Sequence, residues 1–133
     1  MIVDLVSFSF NQDLPEDVNY IIDVRFLNNP FYVDGLKDLT GLDEHVIDFF
    51  KKDKKTQSFL DELINWIKYL IDINKKANKT KIIIAIGCTG GRHRSPYIVE
   101  SLGKALTQMK AISELSIYHK GLRKYNVSIT NRG

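Results

Sequence analysis

Ile82-Ile83-Ile84-Ala85-Ile86-Gly87-Cys88-Thr89-Gly90-Gly91-Arg92-His93-Arg94-Ser95-Pro96 decides the fold: an apolar run, a glycine-bearing loop, and the opening of a helix. A short apolar run bounded by turn residues reads as a buried strand. Ile98, Leu102, Ala105, Leu106 and Met109 then follow at helical spacing. A loop joining a strand to a helix N-terminus exposes unpaired N–H groups, and the helix dipole favours negative charge there. Gly90 and Gly91 allow positive φ and close approach of a ligand to the main chain. Arg92 and Arg94 add fixed positive charge, and a guanidinium can grip a phosphate or carboxylate through two bonds. Ser95 reads as the N-cap, with Pro96 at the first helical position where its missing N–H is harmless. The loop, with His93 inside it, is expected to hold a phosphate or similar oxyanion. His93 reads either as a loop histidine bonded to backbone or as a protonation switch for anion binding.

Working outward, residues 1–10 read as a strand in which Val3 and Leu5 alternate with Asp4. Residues 11–15 form a turn signal, and residues 19–25 a second strand ending in Asp23-Val24-Arg25. A long irregular stretch, residues 26–42, carries Phe26, Phe31 and Tyr32, which argue that it packs down. Asp43 could cap a short helix, residues 51–55 read as a charged linker, and residues 56–76 form a longer amphipathic helix. Trp66 and Tyr69 widen its apolar stripe and read as core or partner packing. The next strand spans residues 79–86 and another lies near 115–118. A basic tail with His119, Lys120, Arg123 and Lys124 follows. Strands alternating with helices predict a single α/β sandwich domain, residues 1–133, with a largely parallel sheet and a phosphate-binding strand-loop-helix. Ligands bind beyond the carboxyl ends of such strands. If the second strand neighbours the one ending at Cys88, then Asp23 and Arg25 face the glycine loop.

Composition narrows the function classes. Hydrophobic residues make up 44% and charged residues 26%, an ordinary globular balance that argues against disorder. One cysteine excludes an internal disulfide framework, and three scattered histidines make no metal-ligand pattern. No cofactor is expected, and a reducing cytoplasm fits. The apolar runs are too short to span a bilayer, and the N-terminus lacks the basic region of a secretory signal. The net charge of +3 hides an asymmetry: residues 1–48 balance at −8 and residues 49–133 at +11. Such a split permits a basic face suited to phosphates or nucleic acid, or a solvated helix face. Aromatic residues on the Trp66 helix are compatible with a homo-oligomer.

Cys88 and Arg94 have the Cys-x5-Arg-Ser/Thr spacing of cysteine phosphatases, in which a thiolate attacks phosphorus. Asp23, Asp34 or Asp38 could serve as the general acid of that alternative. Gly87 stands where such enzymes usually carry histidine, and Cys88 also reads as a small buried apolar residue.

Three blocks then stand together: residues 23–32 (DVRFLNNPFY), 39–43 (LTGLD) and 85–95 (AIGCTGGRHRS). In order and spacing they resemble the C-terminal domain of the RapZ family, the bacterial RNase adapter proteins, over about residues 7–124. The resemblance implies a non-enzymatic receptor for an amino-sugar phosphate such as glucosamine-6-phosphate. It also implies binding of a small regulatory RNA, with His119, Lys120, Arg123 and Lys124 of the basic tail as the candidate contacts, and its presentation to or withholding from an endoribonuclease. Carried over by motif, Asp23, Thr89, Gly90 and Arg94 would contact the ligand, with phosphate on the loop and Asp23 on the ammonium or hydroxyls. Full-length family members carry a Gly-x4-Gly-Lys-Ser/Thr nucleotide loop that has no counterpart here, so ATP-dependent behaviour is not carried over. Phe31 stands where some relatives have histidine.

Overall fold

The computed structural model describes residues 1–12 and 14–130, with side chains described as far as Lys124. Strand β1 (Ile2–Ser9) is followed by β2 (Tyr20–Asp23), a 3₁₀ turn (Pro30–Tyr32), α1 (Glu44–Lys51) and α2 (Lys54–Lys76). The chain continues through β3 (Lys81–Cys88), α3 (Arg94–Leu106), β4 (Glu114–His119) and β5 (Lys124–Thr130). The sheet order is β2-β3-β1-β4-β5. The first four strands run parallel and β5 runs antiparallel to β4, so the expected largely parallel α/β sandwich is the fold observed.

Period-2 alternation decides which side of the sheet is the core. Val3, Leu5 and Ser7 of β1 are fully buried, whereas Asp4 and Val6 are only half-buried. Register aligns Leu5 with Ile84 and Ile117, giving an aliphatic layer across three strands. Helix α2 covers that layer with Leu60, Leu63, Ile67 and Ile71, and α3 adds Ile98, Leu102 and Leu106. Each fully buried aliphatic side chain contributes about 1.5–3 kcal/mol relative to exposure. Asn74 ends α2 usefully: its Nδ2 donates to Leu70 O at 2.8 Å and to Tyr20 Oη at 2.9 Å, tying the helix to edge strand β2.

Several local expectations are corrected. The linker between α1 and α2 shrinks to Lys52 and Asp53. Asp43 does occupy the N-cap of α1, but its carboxylate turns back to accept from Thr40 N at 2.6 Å. Of the core and partner readings of Trp66 and Tyr69, the core one falls: both are about half exposed and stack on one another at 5.7 Å. The basic residues after β4 do not form a free tail: His119 ends β4, residues 120–123 form a turn, and Lys124 opens strand β5, which pairs antiparallel with β4.

Candidate functional site

The carboxyl ends of β1, β2, β3 and β4 lie along one edge of the sheet, and their loops build the site. Parallel pairing aligns Asp23 with Gly87, as the strand-neighbour argument required. Ser9 Oγ donates to Thr89 O at 2.6 Å, and Val24 N donates to Gly87 O at 2.9 Å. The end of β3 is therefore held from the β2 side, and the loop after it from β1.

Its main chain is unusually short of partners. Among the described residues, none of the N–H groups of residues 89–94 has a hydrogen-bond acceptor. Thr89, Gly90 and Arg92 are exposed and Gly91, His93 and Arg94 buried, and a run of N–H groups without acceptors at the start of a helix can accommodate oxygens. Gly91 takes φ +68° and packs so closely on β1 that an added Cβ would lie 3.0 Å from Ser9 N. Gly90, by contrast, faces open space. From outside, Gly41 N donates to Arg92 O at 2.7 Å, and Gly121 abuts Gly91 O, where a Cβ would come within 2.6 Å.

Arg94 is 5% exposed and acts first as a strut. Its Nη1 donates to the carbonyls of Arg25 at 2.6 Å and Leu27 at 3.2 Å, and Nη2 donates to Thr89 Oγ1 at 3.3 Å. Its buried Nε has no acceptor among the described residues. His93 is also buried, with Nε2 3.2 Å from Leu36 O. Burial lowers its pKa below the ordinary value near 6.5, against a contrary pull from the carbonyls it faces. Between these groups lies a cavity of about 250 Å³, lined among others by Thr89, Gly90, His93 and Arg94, with Phe31 and Tyr32 at its wall.

Cys88 and Arg92 also line the cavity, whereas Asp23, Arg25, Gly91 and Ser95 fall outside it. Gly91 is packed against Ser9. Ser95 is not the N-cap: α3 begins at Arg94 with His93 as its N-cap, so Ser95 and Pro96 sit one and two positions further inside the helix. Ser95 Oγ lies 3.2 Å from Cys88 Sγ and 3.3 Å from Phe8 O, and Ser95 N donates to Cys88 Sγ at 3.4 Å. That pull toward the strand end explains the earlier start. Pro96 is tolerated because the first four helical amides need no intrahelical acceptor. Asp23 and Arg25 sit beside the loop in a two-pronged ion pair, Arg25 Nη2 to Asp23 Oδ2 at 2.8 Å and Nε to Oδ1 at 3.0 Å. The Arg25 guanidinium holds the Asp23 carboxyl below its ordinary pKa, and lies 4.0 Å above the Phe10 ring.

Of the candidates for nucleic-acid contact, Arg123 and Lys124 are exposed. Lys120 is half-buried and its Nζ donates to Leu14 O at 3.3 Å. His119 is a correction: it is 0% exposed, with Nδ1 2.7 Å from Ser7 Oγ and Nε2 2.9 Å from Glu100 Oε2. It is a core polar residue with no surface to offer RNA. The sequence reading also missed Gly41 and Gly121 as loop supports; tight packing across distant segments leaves no local pattern.

Fold and loop together define a class, a mostly parallel α/β domain with a strand-loop-helix at the carboxyl edge of its sheet. Within that class, residues 1–123 match the family model described as the RapZ C-terminal domain, and the chain belongs to that family. A protein of Listeria monocytogenes serotype 4a (strain HCC23) is 43% identical over 122 residues, covering 92% of this chain and 41% of the relative. Relatives from Listeria innocua and Bacillus thuringiensis are 42% and 40% identical over the same length. All three are called nucleotide-binding proteins. The chain spans about two-fifths of the length of these curated relatives. Among the described residues, no helix is long and apolar enough to cross a membrane.

Proposed function

We propose that this domain is a non-enzymatic receptor for a phosphorylated metabolite, in particular an amino-sugar phosphate such as glucosamine-6-phosphate. The supporting observation is the run of amides at residues 89–94 without acceptors, beside a buried Arg94 whose Nε also lacks one. A phosphate oxygen bound there satisfies donors that are otherwise left unpaired, each at a cost of about 1–3 kcal/mol when buried. Asp23 supplies the complementary carboxylate for the ammonium, once Arg25 shifts from it toward the anion. The nucleotide named in the relatives is not carried over, because this chain has no Gly-x4-Gly-Lys-Ser/Thr loop and spans only part of their length.

Calorimetry tests the reading. Glucosamine-6-phosphate should bind with unit stoichiometry, glucosamine should not, and Asp23→Asn should weaken the amino sugar phosphate more than glucose-6-phosphate. Equal binding of phosphorylated and unphosphorylated sugars would refute it. The domain is further proposed to display small regulatory RNA to an endoribonuclease, through Arg123, Lys124 and Lys120. RNA affinity should then fall steeply with salt and weaken in Arg123→Ala, whereas a salt-insensitive affinity would reject the interface.

One observation favours a second reading, a cysteine phosphatase: Ser95 places its hydroxyl and amide against Cys88 Sγ, as a thiolate would require. Two features weigh against it. Asp23 is held as a carboxylate by Arg25 and so is poorly suited to donate a proton. At Gly87, where such enzymes carry histidine, an added Cβ would collide with the Phe8 and Phe10 rings. Hydrolysis of an aryl phosphate that vanishes in Cys88→Ser would establish the enzyme.

A further inference from the structure

We propose that the groove between α1, the start of α2 and α3 is a second ligand site, for a small organic anion carrying an apolar ring or chain. It goes beyond the loop site: none of its lining residues lines the loop cavity. The groove encloses about 610 Å³, more than twice the loop cavity, and falls in the range typical of small-molecule sites.

Its construction has an apolar floor and a cationic rim. Leu42, Ile47 and Leu60 form the floor together with the Tyr97 ring, which is itself fixed by stacking on Phe50 at 4.7 Å. Gln57 Nε2 donates both to Phe50 O at 2.9 Å and to Tyr97 Oη at 3.0 Å. Because Tyr97 Oη accepts there, its own proton remains to be offered to an occupant. Ser101 Oγ also lines the groove and has no hydrogen-bond partner among the described residues.

The charge balance selects an anion. Lys51 from α1 and Lys104 from α3 both reach the groove, and neither forms an ion pair among the described residues. Each stands in the last turn of its helix, where a cation is favourable in any case. That effect does not require them to share a cavity, and here they do. The lone carboxylate in the lining, Glu100, is already engaged by His119 at 2.9 Å. What is left for a ligand is two ammonium groups, two hydroxyls and an aliphatic and aromatic floor.

Amide-resolved NMR titration of the full chain separates this site from the loop. Phenyl phosphate should give saturable shifts at Gln57, Ser101 and Lys104, whereas inorganic phosphate, which lacks the apolar part, should leave these amides unmoved and act on residues 89–95. In the double variant Lys51→Ala/Lys104→Ala, the groove response to phenyl phosphate should weaken by about tenfold, with the loop response to inorganic phosphate unchanged. Ser101→Phe, which fills the groove and keeps both lysines, should abolish the groove response. Shifts confined to residues 89–95, or groove shifts indifferent to loss of the lysines, would overturn the proposal. Failure of the loop response alone would count against the sugar-phosphate reading and leave this one standing.

Discussion

Replacing Arg94 by methionine asks what a buried guanidinium contributes. Methionine keeps most of the volume and removes every donor. Two bonds to main-chain carbonyls are lost, to Arg25 at 2.6 Å and to Leu27 at 3.2 Å. Bonds from a charged donor contribute about 1.5–3 kcal/mol each, so the gross loss is about 3–6 kcal/mol. Removing the unpartnered Nε returns about 1–3 kcal/mol of that, and the net destabilisation should be about 2–4 kcal/mol. In urea denaturation, with a slope of about 2 kcal/mol/M, the midpoint should fall by about 1–2 M. Calorimetry at low temperature, where the variant remains folded, should show phosphate-ligand affinity reduced by about tenfold or more. A midpoint shift below about 0.3 M would mean that residues 25–27 are held by something else. An unchanged affinity in the folded variant would mean that the cavity is not the ligand site.

Other perturbations probe the same edge of the sheet. Gly91→Ala forces a side chain into φ +68° and against Ser9 N, and should cost about 1–2 kcal/mol or more, lowering Tm by about 5 °C. Gly90→Ala meets open space and should leave Tm nearly unchanged; equal effects would refute the packing argument. For His93, a pKa lowered by burial means the unfolded chain binds the extra proton more readily. Its contribution to stability is therefore complete above about pH 6.5 and is lost as pH falls below it. Wild type should lose urea resistance between pH 7 and pH 5.5 more steeply than His93→Gln, and parallel profiles would exclude His93 as the cause.

How much could be read in advance depended on how local the physics was. The run Ile82-Ile83-Ile84-Ala85-Ile86 and the loop after it announced β3 and α3 because apolar runs and glycines are local signals. The facing of Asp23 toward Gly87 followed from strand adjacency alone. His119 was misplaced although its alternation with Leu115 and Ile117 already put it on the core side; the neighbouring basic residues drew the eye instead. Strand β5 was likewise hidden behind a charge argument, despite Tyr125, Val127 and Ile129 alternating with Asn126, Ser128 and Thr130. In residues 26–42, Leu27 and Pro30 are buried, whereas Phe26, Phe31 and Tyr32 stay exposed, the last two at the cavity wall. The Arg25–Asp23 pair and the strut made by Arg94 depend on long-range geometry, and no spacing rule encodes them.

The central place of β1 has a consequence for biosynthesis. Its partners are β3, which begins at Lys81, and β4, which begins at Glu114, so β1 pairs only with strands that lie far along the domain's sequence. Until those strands are made an alternating apolar segment is unsheltered, and its pairing is among the most non-local and therefore slowest steps available to the domain. The loop after β3, clasped by β1 and by Gly121, can take shape only after that closure. Any ligand that recognises it acts only after β1 and the Gly121 turn have closed on the loop.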